Sequence, residues 1–317
     1  MKYYYHQTIA PSMTSPEKAI FILDRSKSLF TFDNLEILTP IGELCQPKSI
    51  DQLCYERVHE ILDAALGKKI SIFWSGGIDS TLIVCEFLKY CPTDRIRIVL
   101  TENSIKEYPE FYAKYIHHKL ETVEYNFYED SVINQCLIDS VIVTGHLTDP
   151  MFGSNIYHIM PEFRLRQTIP EFIANLTEES QQYYTKLAAA CPRELVDVKD
   201  LFWWMNYTLE YQGEQFWILL DTENLIINKN VFHFCDNKSW NDYAISTSAE
   251  EKWSGYNFVD YKMCLKKQIQ DFTNDTYYTE NKIKVASWRR YRKLKDRIKM
   301  PLFIDTEWKR GWRIFRG

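Results

Sequence analysis

The chain has no run approaching the roughly 20 consecutive apolar residues that a membrane span requires. A spanning helix is therefore not expected, and no membrane partner is expected with it. The first residues, Met1-Lys2-Tyr3-Tyr4-Tyr5-His6, lack the apolar core and small-residue cleavage site of a secretory signal. The eight cysteines (Cys45, Cys54, Cys85, Cys91, Cys136, Cys191, Cys235 and Cys264) stand singly, without a Cys-x-x-Cys pair. That spacing excludes a zinc knuckle or a dithiol redox motif and predicts small buried apolar residues without disulfides. Together these absences predict a cytoplasmic protein. Internal repeats and low-complexity segments are also missing, so a solenoid or a disordered tract is not expected.

What remains is the mixture of a soluble globular chain, 317 residues with 45% apolar and 26% charged side chains. That length accommodates two closely packed domains. The net charge of −5 conceals an asymmetry. From Tyr261 to Gly317 there are 16 Lys and Arg against 6 Asp and Glu, so a basic tail follows an acidic body. Such a tail either meets phosphates or packs on the body.

The apolar pattern divides the chain into an N-terminal cap (1–48), an α/β domain (49–158) and a mostly helical region with the basic tail (159–317). The cap carries Pro11, Pro16 and Pro40 between short apolar runs and reads as a small hairpin. Ser49 and Gln52 fit a capping box. A helical spacing follows at Leu53, Val58, Ile61 and Leu62 and ends near Gly67. Strands are predicted at 70–74, 96–100, 123–127 and 141–144, with helices between them. This alternation predicts an α/β fold, a parallel sheet with helices on both faces, ending near residue 155. Beyond it, the run Phe202-Trp203-Trp204-Met205-Asn206-Tyr207 reads as helical core more than as a binding platform.

The chemistry concentrates in Ser75-Gly76-Gly77-Ile78-Asp79-Ser80-Thr81, between a predicted strand and helix. Two glycines allow a sharp turn and close backbone approach to a ligand. The helix behind them offers free N–H groups and a positive dipole end. Ser75, Ser80 and Thr81 add hydroxyls. Asp79 would repel a phosphate unless a cation bridges the two, and Mg²⁺ is the natural bridge. The Gly-x-x-x-x-Gly-Lys-Ser/Thr spacing and its lysine are absent, so this is a different phosphate loop.

Ser-Gly-Gly-x-Asp-Ser after a strand resembles the signature of the N-type ATP pyrophosphatases, the PP-loop family. A second segment, Val143-Thr144-Gly145-His146-Leu147-Thr148-Asp149-Pro150-Met151-Phe152-Gly153, resembles the asparagine-synthetase pattern Gly-(Asp/Glu)-Gly-x-Asp-Glu-(Leu/Val)-Phe-Gly-Gly. Gly145, Asp149, Phe152 and Gly153 match it; His146 replaces an acidic residue and Pro150 replaces Glu. The stretch Thr144-Gly145-His146 also resembles the Gly-His-His-x-Asp-Asp segment of tRNA-lysidine synthetases.

The resemblance implies an adenine nucleotide α-hydrolase-like fold with ATP and Mg²⁺ as cofactors. Ser75, Gly76, Gly77, Asp79, Ser80, Thr81 and Gly145 would lie at the nucleotide, with Asp79 and Asp149 holding the metal. Tyr261-Lys262-Met263-Cys264-Leu265-Lys266 resembles a helix start that precedes a catalytic lysine in the synthetases. Lys284 is the expected counterpart of that lysine, with Lys282 as substitute. His146 is a candidate base, weighed against a loop residue that only bonds the backbone.

The expected activity is an AMP- and pyrophosphate-forming carbon–nitrogen ligase acting on a small-molecule carboxylate. An N-terminal glutaminase is not expected, because position 2 is Lys2 where that domain's cysteine nucleophile would stand. Ammonia, an amine donor or a separate glutaminase partner would supply the nitrogen. Two alternatives stay open: a nucleic-acid-modifying enzyme that uses the basic segment Arg289–Lys295, and an ATP-binding regulator without catalysis.

Overall fold

The structure is a computed structural model that describes residues 24–28, 39–125, 131–153, 162–209, 211, 230–255 and 259–282. Five parallel strands form one sheet: β1 (Lys69–Phe73), β2 (Ile96–Leu100), β3 (Glu121–Glu124), β4 (Ser140–Thr144) and β5 (Val231–His233). Their order across the sheet is β3-β2-β1-β4-β5. The chain winds outward from β1 in one direction, then returns to its other side at β4. The gap between the carboxyl ends of β1 and β4 is thus the topological switch point, where open α/β sheets bind ligands.

The strands are short and rich in Ile and Val, as expected where both faces are covered. Alternation of side chains explains the two cores. Ile70, Ile72, Ile96, Ile98, Val141 and Val143 enter the main core. That core also takes Leu53, Val58 and Ile61 from the helix Ile50–Ala64, and Leu82, Val84 and Phe87 from the helix Ile78–Tyr90. Val99 and Ile142 point the other way, into a smaller cluster with Cys136 of the helix Ser131–Asp139.

The expected helix near residue 50 forms, with the Ser49 side chain accepting from the Gln52 N–H. The reciprocal half of the box does not close, because the Gln52 amide donates instead to Glu56 four residues on. The helix expected around Phe111 to Leu120 is shorter than its periodicity implies. One turn at Pro109–Phe111 passes into a π-type turn at Tyr112–Ile116. His117 and His118 then lie in the following turn, and His118 adopts φ +59°.

The sheet does not end near residue 155. A fifth strand from the second half of the chain, β5, pairs with β4 through Ile142, Val143 and Thr144. Three residues are too few to carry a readable alternation, and the exposed edge of β4 supplies the pairing that local sequence does not. Apart from β5, the described regular structure after residue 160 is helical. The helix Val198–Leu209 is buried along its whole length, so Phe202, Trp203, Trp204 and Tyr207 are core. All eight cysteines are free, and five of them are buried. Among the described residues, no helix is long and apolar enough to cross a membrane.

Candidate functional site

The site is built from the two loops at the switch point. After β1 the chain turns at Ser75 and Gly76 into the helix Ile78–Tyr90, whose N-cap Gly77 offers no side-chain hydrogen bond. Gly76 is buried with φ +74°. A Cβ there would stand 2.4 Å from the Ser104 carbonyl oxygen and 2.7 Å from the Glu107 Cβ. Only glycine fits both the torsion and the space. The Ser75 N–H donates to the Ser80 hydroxyl at 3.0 Å, and the Gly77 N–H donates to the Ser75 hydroxyl at 3.3 Å. Ser75 is exposed and Ser80 is buried, so the first is open to solvent and the second ties the loop.

Thr81 is turned inward. Its hydroxyl is fully buried and accepts the Trp74 indole N–H at 3.1 Å. The group expected at the nucleotide is engaged inside the loop–helix junction.

After β4, Gly145 lies against the first loop. A Cβ there would come within 2.9 Å of the Asp79 Cβ and 3.2 Å of the Ser80 backbone N. The missing side chain is what lets the β1 and β4 loops touch. The second loop then passes through Leu147, fully buried with φ +71°, into the short helix Thr148–Phe152 that carries Asp149. A leucine in the left-handed region costs about 1–2 kcal/mol. Burial of its side chain offsets this.

Pro150 sits in the first turn of that helix, where a missing N–H leaves no intrahelical bond unmade. The helix is held from behind by the aromatic core, because the Trp203 indole donates to the Met151 carbonyl at 2.7 Å. β5 braces the loop from the side. Thr144 Oγ1 and His233 Nδ1 are 2.8 Å apart, and the Thr148 hydroxyl donates to Cys235 Sγ at 3.3 Å.

Asp79 and Asp149 meet at one cation, the ammonium of Lys262. Lys262 Nζ donates to Asp79 Oδ1 and Oδ2 at 2.6 and 2.7 Å, and to Asp149 Oδ1 at 2.8 Å. The lysine side chain is 1% exposed, against 18% for Asp79 and 32% for Asp149. Burial alone would push the lysine pKa down. Asp149 and Asp79 outweigh that and hold it above the ordinary value.

Lys262 was legible in the sequence only as part of a helix start. Its role follows from geometry: it takes φ +55° at the N-cap of the helix Met263–Thr273, again without a side-chain cap. The two helices headed by Gly77 and Lys262 pack against each other. Two helix N-termini without side-chain caps therefore share this corner, each a partial positive charge.

His146 follows Gly145 and is exposed. Desolvation lowers its pKa from the ordinary histidine value, with Asp149 opposing. Its backbone N–H reaches Thr144 Oγ1 at 3.4 Å, and its ring stands edge-on to His233 with centroids 6.2 Å apart.

Lys282 is turned into the protein beneath the loop. Its Nζ donates to Glu107 Oε1 at 2.8 Å and to the Glu107 carbonyl at 2.9 Å. Glu107 is the residue against which Gly76 packs, so Lys282 braces the loop from below. Lys284 and the basic segment 289–295 lie outside the described residues.

Two carboxylates converge here, and the cation they hold in this structure is the Lys262 ammonium. Among the described residues, no cluster of three or more His, Cys, Asp or Glu could hold a metal unaided. Mg²⁺ commonly takes one or two carboxylates and completes its shell with water and substrate phosphates.

No protein-family model matches this chain, and no curated protein matches it in sequence.

Proposed function

We propose that this chain is an ATP-dependent, AMP- and pyrophosphate-forming carbon–nitrogen ligase of the PP-loop type, with an adenine nucleotide α-hydrolase-like sheet. It adenylates a small-molecule carboxylate and passes the acyl group to ammonia or an amine. The observation that carries this reading is the convergence of Asp79 and Asp149 at the switch point, from loops 70 residues apart. Leu147 adds support. It stands where the asparagine-synthetase pattern has glycine, and it keeps the left-handed torsion that favours glycine.

In this reading Ser75 and the first turn of the helix Ile78–Tyr90 bind phosphate oxygens through the hydroxyl and N–H groups. Asp79 and Asp149 would hold Mg²⁺, which would supply charge neutralisation on the triphosphate. Gly76 and Gly145 allow the close approach of backbone that brings these groups together. Lys262, and Lys284 from the following segment, are the cations available to the departing pyrophosphate. His146, neutral at pH 7 because its pKa is lowered, can accept a proton from the incoming amine. In this reading the helices Val198–Leu209 and Lys238–Ser246, which pack against the helix that carries Asp149, would shape the acceptor site.

The test is ATP–pyrophosphate exchange and AMP release from Mg²⁺-ATP, with fractionated metabolites as the acceptor source. Wild-type activity that needs the small-metabolite fraction is expected. Asp79→Asn should lose about 100-fold or more, since metal charge stabilisation is worth several kcal/mol. AMP release that depends on the RNA fraction instead would transfer the same site to nucleic-acid modification. ATP binding without AMP in any fraction would make the chain a nucleotide-binding regulator.

A further inference from the structure

Lys262 raises a question of electrostatics that the proposed site does not answer. Its ammonium lies within 2.8 Å of three carboxylate oxygens, two of Asp79 and one of Asp149. A Mg²⁺ ion bonded to these carboxylates would lie about 2.1 Å from an oxygen of each. Since Nζ is 2.6 Å from Asp79 Oδ1, an ion on that atom would stand within about 5 Å of the ammonium. Two cations that close, on a lysine side chain 1% exposed, repel strongly with little solvent to screen them. Lysine and metal therefore do not share both carboxylates without a further negative charge.

The site contains a way out. Lys262 is the N-cap residue just before its helix, in a left-handed conformation, so its side chain hangs from a turn rather than from a helix face. Its hydrogen-bond partners are both aspartates; Tyr261 Oη, 3.5 Å from Asp149 Oδ1, flanks the same carboxylate. A triphosphate entering beside them would offer the ammonium other anionic oxygens.

We infer that Lys262 is the resident counter-cation of the aspartate pair, which shuts out a bare divalent ion and yields its place only when metal and polyphosphate arrive together. This rests on the reading of Asp79 and Asp149 as metal ligands. The metal–nucleotide complex then binds as a unit, and the lysine, released from the carboxylates, becomes available to the phosphates. The coupling is reciprocal: nucleotide strengthens metal binding by the same factor as metal strengthens nucleotide binding.

Mn²⁺ binding without nucleotide, followed by the electron paramagnetic resonance signal of the free ion, tests this directly. Wild type should bind Mn²⁺ weakly, Lys262→Met about 10- to 100-fold more tightly, and Lys262→Arg as weakly as wild type. Adding a non-hydrolysable ATP analogue should tighten Mn²⁺ binding far more in wild type than in Lys262→Met. Equal Mn²⁺ affinity in wild type and Lys262→Met would overturn the inference while leaving the metal site in place. Saturable Mn²⁺ binding by neither protein, with or without the analogue, would remove the metal site and the inference with it.

Lys262→Gln, which keeps a hydrogen-bond donor for the aspartates without the charge, provides a second variant should Lys262→Met not fold. Without nucleotide it should bind Mn²⁺ about 10- to 100-fold more tightly than wild type. Affinity equal to that of wild type contradicts exclusion of the ion by the ammonium.

Discussion

Gly76→Ala tests how tightly the loop after β1 is built, because a second glycine provides its control. Gly76 and Gly67 both have positive φ, +74° and +82°. An alanine at either position bears the left-handed cost of about 1–2 kcal/mol. The gain from a stiffer unfolded chain offsets about 0.4–1 kcal/mol of that in both. Their surroundings differ. A Cβ on Gly67, in the turn before β1, would meet nothing within 4 Å. On Gly76 it would stand 2.4 Å from the Ser104 carbonyl oxygen and 2.7 Å from the Glu107 Cβ.

Neither neighbour of Gly76 is the far end of a flexible side chain. Ser104 and Glu107 belong to the helix Glu102–Glu107, which is closed at its start by a Thr101–Ser104 capping box and tied by Lys282. Relieving the overlap must move loop or helix, at about 1–3 kcal/mol. Gly67→Ala should therefore lose about 1 kcal/mol or less, and Gly76→Ala about 2–4 kcal/mol. An unfolding entropy of about 2.1 cal/mol/K per residue, over 317 residues, makes 1 kcal/mol worth about 1.5 °C in Tm. The expected shifts are about 1 °C for Gly67→Ala and about 3–6 °C for Gly76→Ala, read by differential scanning calorimetry. Equal shifts would refute the claim that the loop lies against Ser104 and Glu107.

Leu147 should respond to truncation in an order that reveals its torsion. Leu147→Gly loses a buried side chain but relieves the left-handed backbone, for a net loss of about 2–4 kcal/mol, while Leu147→Ala loses about 1 kcal/mol more; urea denaturation showing alanine above glycine would contradict φ +71°. The buried Glu107–Lys282 pair predicts that Glu107→Ala, which strands the ammonium, costs about 3–5 kcal/mol, whereas the double variant Glu107→Leu/Lys282→Met recovers most of it in the same assay.

Lys266 provides a pH dependence. Burial lowers its pKa to about 8, with Asp260 opposing and Lys282 reinforcing, while its Nζ donates to the carbonyls of Val259 and Lys282. Because the folded pKa lies below the unfolded one, the unfolded chain binds more protons between about pH 8 and 10.4, so this group makes stability rise with pH across that window. The stability of wild type relative to Lys266→Met should grow by about 2–3 kcal/mol from pH 8 to 10.5; a flat difference would mean the lysine is solvated.

The strand, loop and helix from Lys69 to Tyr90 were legible because three local signals agree there: an apolar run, a glycine pair and a helical spacing. The paired aspartates were legible only through motif resemblance, since nothing local connects Asp79 with Asp149. Two misreadings share one cause. The Thr81 hydroxyl reads as a group open to a ligand until it is seen fully buried, accepting the Trp74 indole N–H. β5 reads as nothing in three residues until the edge of β4 claims those too. In both, the deciding partner lies outside the window over which a pattern can be counted. Lys262 is the extreme instance, because its partners lie 183 and 113 residues away.

Why should two carboxylates and a lysine gather where two helices begin? A carboxylate pair alone at the switch point would suit the helix N-termini and repel a nucleotide. A lysine alone would attract phosphate and be repelled by the dipoles. With all three present, the ammonium and two partial positive helix ends face the two carboxylates. The ammonium and carboxylates are thus paired, and removing one partner of a buried pair costs about 3–5 kcal/mol. On the proposed reading, neither a free divalent ion nor a free polyphosphate would find a fully opposite charge waiting, whereas a metal–nucleotide complex carries both signs and could exchange with the internal pair.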